Sequence, residues 1–120
     1  MKKQVSSDEV EKLIKNYEKI PGTDIKIVVG KTKSNAVITG GEIIKENNYI
    51  VHLFDGDKIV SMASKNIDID LRKIVPEIGK ILGGGGGGKP RMTQCGGPNR
   101  DRVDEALKKA KKLTIKNYKK

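Results

Sequence analysis

Apolar positions change period along the chain, and each change marks an element. Val10, Leu13, Ile14 and Tyr17 fall at i, i+3, i+4 and i+7 behind Ser6 and Glu9, which have the spacing of a capping box. This pattern predicts a helix over about 7–19, stopped by Pro21-Gly22. Ile25, Ile27, Val28 and Val29 make a short β-branched run ending at Gly30, the signature of a buried strand. Over 34–47, Ala36, Val37, Ile43 and Ile44 line one helical face, although Gly40 and Gly41 each cost a helix about 1 kcal/mol. Tyr49–Phe54 and Lys58–Ala63 flank Asp55-Gly56, whose tolerance of positive φ predicts a tight turn between two antiparallel strands. Leu71, Ile74, Val75, Ile78 and Leu82 predict a helix over 70–82; Pro76 inside it is harmless only if the helix starts near Leu71 or later. Met92–Cys95 reads as a short strand. Val103, Ala106, Leu107, Ala110 and Thr114 share one face of a last helix beginning near Asn99, with Lys108, Lys109, Lys111, Lys112 and Lys116 lying away from it.

At 120 residues, 35% of them hydrophobic, the chain suits a single domain over 1–120 with a modest core. No apolar run approaches the roughly 20 residues that span a bilayer, and MKKQVSSDEVEKL lacks an apolar signal core, so a cytoplasmic protein without membrane contact is expected. One Cys and one His exclude an internal disulfide and a typical His/Cys zinc site, and nothing calls for a metal or a cofactor. Charge changes the picture more. Residues 1–79 carry 13 Lys+Arg against 12 Asp+Glu, whereas residues 80–120 carry 12 against 3. Basicity confined to the last third points to a polyanionic partner, nucleic acid before an anionic surface; a solubilising lysine-rich tail is the alternative.

Individual candidates for chemistry mostly dissolve. Cys95, with no acid or His near it in sequence, reads as a buried structural thiol rather than a nucleophile. His52 alternates with Val51 and Leu53, which predicts an exposed or half-buried strand position. Asp101, Asp104 and Glu105 sit at the positive end of the last helix, where its dipole accounts for them without a metal. Gln94, if buried, must find hydrogen bonds and would brace the glycine segment before it. With only Tyr17, Tyr49, Phe54 and Tyr118 as aromatic rings, stacking on single-stranded bases is poorly supplied. Phosphate contacts and a shape fit to structured RNA need only Lys and Arg.

Six consecutive glycines, Gly83 to Gly88, would in isolation read as a flexible linker. Set between an apolar helix and an apolar segment, they read better as a tight helix-to-strand loop, whose consecutive N–H groups can form an anion-binding nest. Lys89 and Arg91 follow at once, but no Gly-Lys-Ser/Thr closes a Walker loop. The segment GGGGGGKPRMTQCGG, followed by NRDRVDEALKKAKK, resembles the DHH-associated domain in the form found at the C-terminus of alanyl-tRNA synthetases. The matching positions are Gly83 to Gly88, Lys89, Pro90, Met92, Gln94, Gly96 and Gly97. Versions attached to DHH phosphoesterases usually carry Gly-Gly-Gly-His and then Ala-Ala-Gly; no His follows the glycines here, which favours the synthetase branch.

The resemblance implies an α/β domain: a small mixed β-sheet flanked by helices, a glycine-rich helix-to-strand loop and a basic C-terminal helix. It also implies a non-catalytic domain that supports binding of tRNA or other structured RNA. The chain holds no aminoacylation, editing or DHH catalytic domain, so catalytic residues are not expected, and a free-standing domain and a piece of a larger enzyme remain equally open. Expected RNA contacts are Gly84, Gly85, Gly86, Gly87, Gly88, Lys89, Arg91, Arg100, Arg102, Lys108, Lys109 and Lys112. Pro90, Met92, Gln94, Gly96 and Gly97 are expected to be structural. Two rival readings stay open: a homodimerisation module, and a nucleic-acid-binding accessory subunit of a DHH-type nuclease acting on short RNA or single-stranded DNA. A partner synthetase or nuclease would then supply the chemistry.

Overall fold

The computed structural model describes residues 7–33 and 35–118, so Ser6 of the expected Ser6 and Glu9 capping pair lies outside the described residues. Among these, the strands are β1 (Tyr17–Lys19), β2 (Lys26–Lys31), β3 (Tyr49–Phe54), β4 (Ile59–Ala63), β5 (Gly85–Lys89) and β6 (Met92–Gly96). The helices are α1 (Ser7–Lys15), α2 (Ala36–Ile44), α3 (Val75–Ile81) and α4 (Val103–Tyr118). The strands form one mixed sheet in the order β1-β2-β3-β4-β6-β5. Only β2 and β3 run parallel; α2 makes the crossover between them, as a parallel pair requires.

Strand periodicity divides the apolar side chains between two faces. Ile27, Ile50 and Ile59 meet Val75 and Ile78 of α3 and Val103, Ala106 and Ala110 of α4 on one side. Val28, Val51, Leu53, Val60 and Met62 meet Leu13 of α1 and Ala36 and Ile43 of α2 on the other. Gly40, a flaw by helix propensity, lets α2 press on the sheet: a Cβ there would lie 2.7 Å from Met62 Sδ and 3.2 Å from Val51 Cγ2. Asn35 caps α2 with its side-chain oxygen accepting from the Val37 and Ile38 N–H groups.

Three expected elements differ. The first helix ends at Lys15 rather than near 19, and Tyr17–Lys19 becomes an edge strand paired antiparallel with β2. Tyr17 is 44% exposed there, its ring face 5.2 Å from Lys26 Nζ. The i+7 match that placed it in a helix loses to the backbone ladder offered by β2. The helix expected over 70–82 splits into a 3₁₀ turn, Leu71–Lys73, and α3, so Pro76 falls in the first turn, where its missing N–H breaks no hydrogen bond. The glycine run is a loop only at Gly83 and Gly84. From Gly85 it forms β5, paired with β6 along Gly85↔Gly96 to Lys89↔Met92.

Candidate nucleic-acid interface

The β5–β6 hairpin closes through Pro90 and Arg91, and the turn is held from both flanks. Leu71 N–H donates to the Pro90 carbonyl at 2.7 Å and Ala63 N–H to the Arg91 carbonyl at 3.0 Å. Glycine is needed in the run from Gly83 to Gly88 for two reasons. Gly83 and Gly88 lie at φ 81° and 148°, where L side chains are strained. Backbones also approach too closely for side chains: a Cβ on Gly84 would strike the Gly96 carbonyl, and one on Gly86 the Gln94 carbonyl. Gly85 and Gly87 have open space instead. Peptide groups alternate in direction along a strand, so Gly85 to Gly88 do not form the expected concave nest. What the run presents to solvent is the bare, exposed edge of the sheet.

The basic side chains gather elsewhere. Glu105, Lys108, Lys109 and Lys112 follow i, i+3, i+4 and i+7 on α4 and face Glu77, Lys80 and Ile81 of α3 across a groove of about 630 Å³ that Arg102 also lines. The buried face of α4, Val103, Ala106, Leu107, Ala110 and Thr114, fixes that orientation by packing on the sheet. Not every cation is available. Arg102 holds Glu105 in a forked pair, Nε to Oε1 at 3.0 Å and Nη2 to Oε2 at 2.8 Å, which raises the guanidinium pKa and lowers that of the carboxyl. Arg100 stands 3.5 Å from Asp57, and Lys111 pairs with Glu18 at 2.8 Å. Lys80, Lys108, Lys109 and Lys112 make no ion pair among the described residues.

Thus the expected basic contact residues, Arg100 apart, separate into two groups. Arg102, Lys108, Lys109 and Lys112 come together on the α3/α4 side, joined by Lys80, which charge alone did not single out although it shares the helical spacing of Glu77. Lys89 and Arg91 stand at the hairpin tip and line a second groove with α2, on the side of the other core. Arg91 Nε donates to the Ile67 carbonyl at 3.0 Å, which anchors the guanidinium.

Other expectations need revision. Gln94 is exposed and its side chain makes no hydrogen bond among the described residues; Asn99 ties off the glycine passage, its N–H donating to the Leu82 carbonyl at 2.8 Å and its Nδ2 to the Ile81 carbonyl at 3.3 Å. A Cβ on Gly97 would strike the Leu82 carbonyl, whereas at Gly96 an added Cβ finds only ordinary contacts. Met92 packs half-buried on the α2 side. His52 is fully buried, not exposed: Nδ1 lies 2.7 Å from Ser61 Oγ and Nε2 2.8 Å from Thr114 Oγ1. The Thr114 hydroxyl donates to the Ala110 carbonyl at 2.7 Å, so it accepts from Nε2–H, and Nδ1 accepts from Ser61. Desolvation lowers the His52 pKa to about 4. Cys95 is buried, and the same effect pushes its thiol up to about 11, suppressing the thiolate. Asp104 pairs with Lys31 at 2.9 Å, so ion pairs as well as the dipole account for the acids at the start of α4.

A mixed sheet with helices on both faces, a glycine strand at its edge and a basic last helix defines a class of small α/β domain. The chain belongs to the DHHA1 domain family, whose model matches residues 2–116. Its fold is similar to the C-Ala domain from Aquifex aeolicus alanyl-tRNA synthetase, with a TM-score of 0.64 and 25% identity over 88% of this chain and 99% of that one. The alanine–tRNA ligase of Methanococcoides burtonii is 30% identical over 121 residues, 94% of this chain and 13% of that protein. The ligase of Sulfurovum sp. is 36% identical over 97 residues, 78% of this chain and 10% of that protein. The chain therefore spans only about a tenth to an eighth of these curated relatives. No helix among the described residues is long and apolar enough to cross a membrane.

Proposed function

We propose that this is a non-catalytic RNA-binding domain that holds tRNA, or another structured RNA, by its phosphate backbone along the α3/α4 groove. The observation that carries the reading is the stripe of Lys108, Lys109 and Lys112 facing Lys80, cations without ion-pair partners among the described residues, on a rigid helical frame. Similarity to the C-Ala domain of an alanyl-tRNA synthetase supports tRNA as the ligand. Lysines at helical spacing meet phosphates as point charges and read no base, so affinity should follow salt rather than sequence. If about four phosphates are neutralised, log affinity falls with log salt at a slope of roughly −3. Titrating folded tRNA and a scrambled structured RNA across a salt series checks this; no binding at low salt, or a flat slope, overturns it. A homodimer joined edge to edge through β5 is the second reading, favoured by that strand's exposed outer edge. The oligomeric state measured in the same samples decides it. A synthetase or nuclease partner in the cytoplasm would supply the chemistry for either reading.

A further inference from the structure

The second groove has a composition unlike the first. It runs between α2 and the β5–β6 hairpin with a volume of about 530 Å³, floored by Ile44, Met62, Ala63, Pro90 and Met92 and rimmed by Lys45, Lys65, Lys89 and Arg91. Gly41 leaves the wall on α2 bare, with nothing within 4 Å of an added Cβ. One turn earlier Ile38, 40% exposed, continues the apolar stripe along the helix. Among the described residues, no carboxylate, hydroxyl, amide or aromatic side chain lines the groove. The hairpin wall is held by the bonds from Leu71 and Ala63, and Arg91 by the Ile67 carbonyl, so the groove is preformed.

We infer that this groove docks an acidic amphipathic segment of a partner protein, apolar side chains on the thioether floor and carboxylates on the rim of Lys65, Lys89 and Arg91, Lys45 being paired with Glu42 at 3.0 Å. Two methionines give a floor that adapts to aliphatic or aromatic anchors, and a helix presenting such anchors on one face is the segment that fits a groove of this kind. Charge complementarity sets the sign of the partner. A nucleic acid would use the rim but leave the floor empty: there is no ring on which to stack a base and no side-chain acceptor to read its edge. As occupant of this cation-rimmed groove, a second copy of this chain, at a formal net charge of +10, is disfavoured. This inference does not rest on the RNA reading, because the groove lies on the other side of the sheet from α3 and α4.

The probe is a labelled synthetic helical peptide with Leu at i and i+4 and Glu on its flanks, read by fluorescence anisotropy. Controls replace Glu by Lys, or Leu by Ser, and a short single-stranded RNA serves as competitor. Saturable binding of the acidic peptide is expected, lost with both controls and unaffected by the RNA. Gly41→Glu, at an unobstructed helix surface, should weaken it by about tenfold or more while tRNA binding stays unchanged. Lys65→Glu, on the exposed rim, gives the same test should Gly41→Glu unfold. No saturable peptide binding, binding unmoved by both variants, or displacement by the RNA overturns the inference; failure of tRNA binding alone leaves it standing and overturns only the other reading.

Discussion

His52 shows what a single side chain does to this core. Both ring nitrogens are used, tying β3 to β4 through Ser61 and to α4 through Thr114, the helix that carries the groove lysines. The folded pKa of about 4 lies below the ordinary 6.5, so the native state favours the neutral ring. The unfolded chain then takes up a proton first as pH falls. The contribution is complete above about pH 6.5, is lost progressively toward pH 4, and amounts to about 3 kcal/mol. His52 is the only histidine, so the loss above about pH 5, before the lowered Asp55, Asp70 and Glu105 carboxyls begin to contribute, belongs to it. Denaturant melts between pH 7 and 4.5 should lose stability, and His52→Gln should start lower and flatten that dependence. A wild-type profile as flat as the variant's would contradict the buried network. The sequence placed His52 on the face opposite Val51 and Leu53 but not under a helix. Alternation assigns a side, and only the packing of α4 reveals that this side is also interior.

At the level of elements, periodicity recovered β2, β3, β4, β6, α2 and the buried face of α4, because each buries a continuous apolar stripe. It failed where no stripe exists. A run of six glycines has no side chains to alternate, so nothing in it distinguishes a strand from a loop; β5 exists because β6 supplies a ladder and α3 lies across it. A Cβ on Gly79 of α3 would stand 2.9 Å from Gly85 Cα and 3.1 Å from its carbonyl carbon. In a free helix Gly79→Ala would gain about 1 kcal/mol, but forcing α3 away from β5 costs about 1–3 kcal/mol, so a net loss is expected in equilibrium unfolding. Within β5, Gly86→Ala should destabilise by a similar amount, since its Cβ would strike the backbone of β6. Gly85→Ala, with open space at the same register, should change stability by less than about 0.5 kcal/mol. Neither Gly85 nor Gly86 occupies the left-handed region, so close approach rather than φ decides this pair. Equal melting behaviour of the two variants would show that β5 is not paired as described.

For the molecule as a whole, the basic last third of the chain does not make one basic surface. The sheet divides it: Lys80, Lys108, Lys109 and Lys112 stand over α3 and α4, while Lys89 and Arg91 turn to the side of α2. This separation was invisible in the sequence, where Lys89 and Arg91 lead directly into the basic helix and the charges read as continuous. A rigid RNA helix laid on one side of a sheet does not also reach the other, so charges equal in number should differ in effect. Lys108→Ala with Lys112→Ala removes two cations one helical turn apart from the groove, without touching the buried face of α4. It should weaken tRNA binding by about tenfold and reduce the salt slope by roughly 2. Lys89→Ala with Arg91→Ala also removes two charges, but from the hairpin side, and should cost clearly less tRNA affinity while abolishing the acidic peptide's hold on the second groove. Measured at one ionic strength, equal losses of tRNA affinity from the two double variants would mean that RNA responds to total charge alone, and the α3/α4 groove would then have no special place in binding.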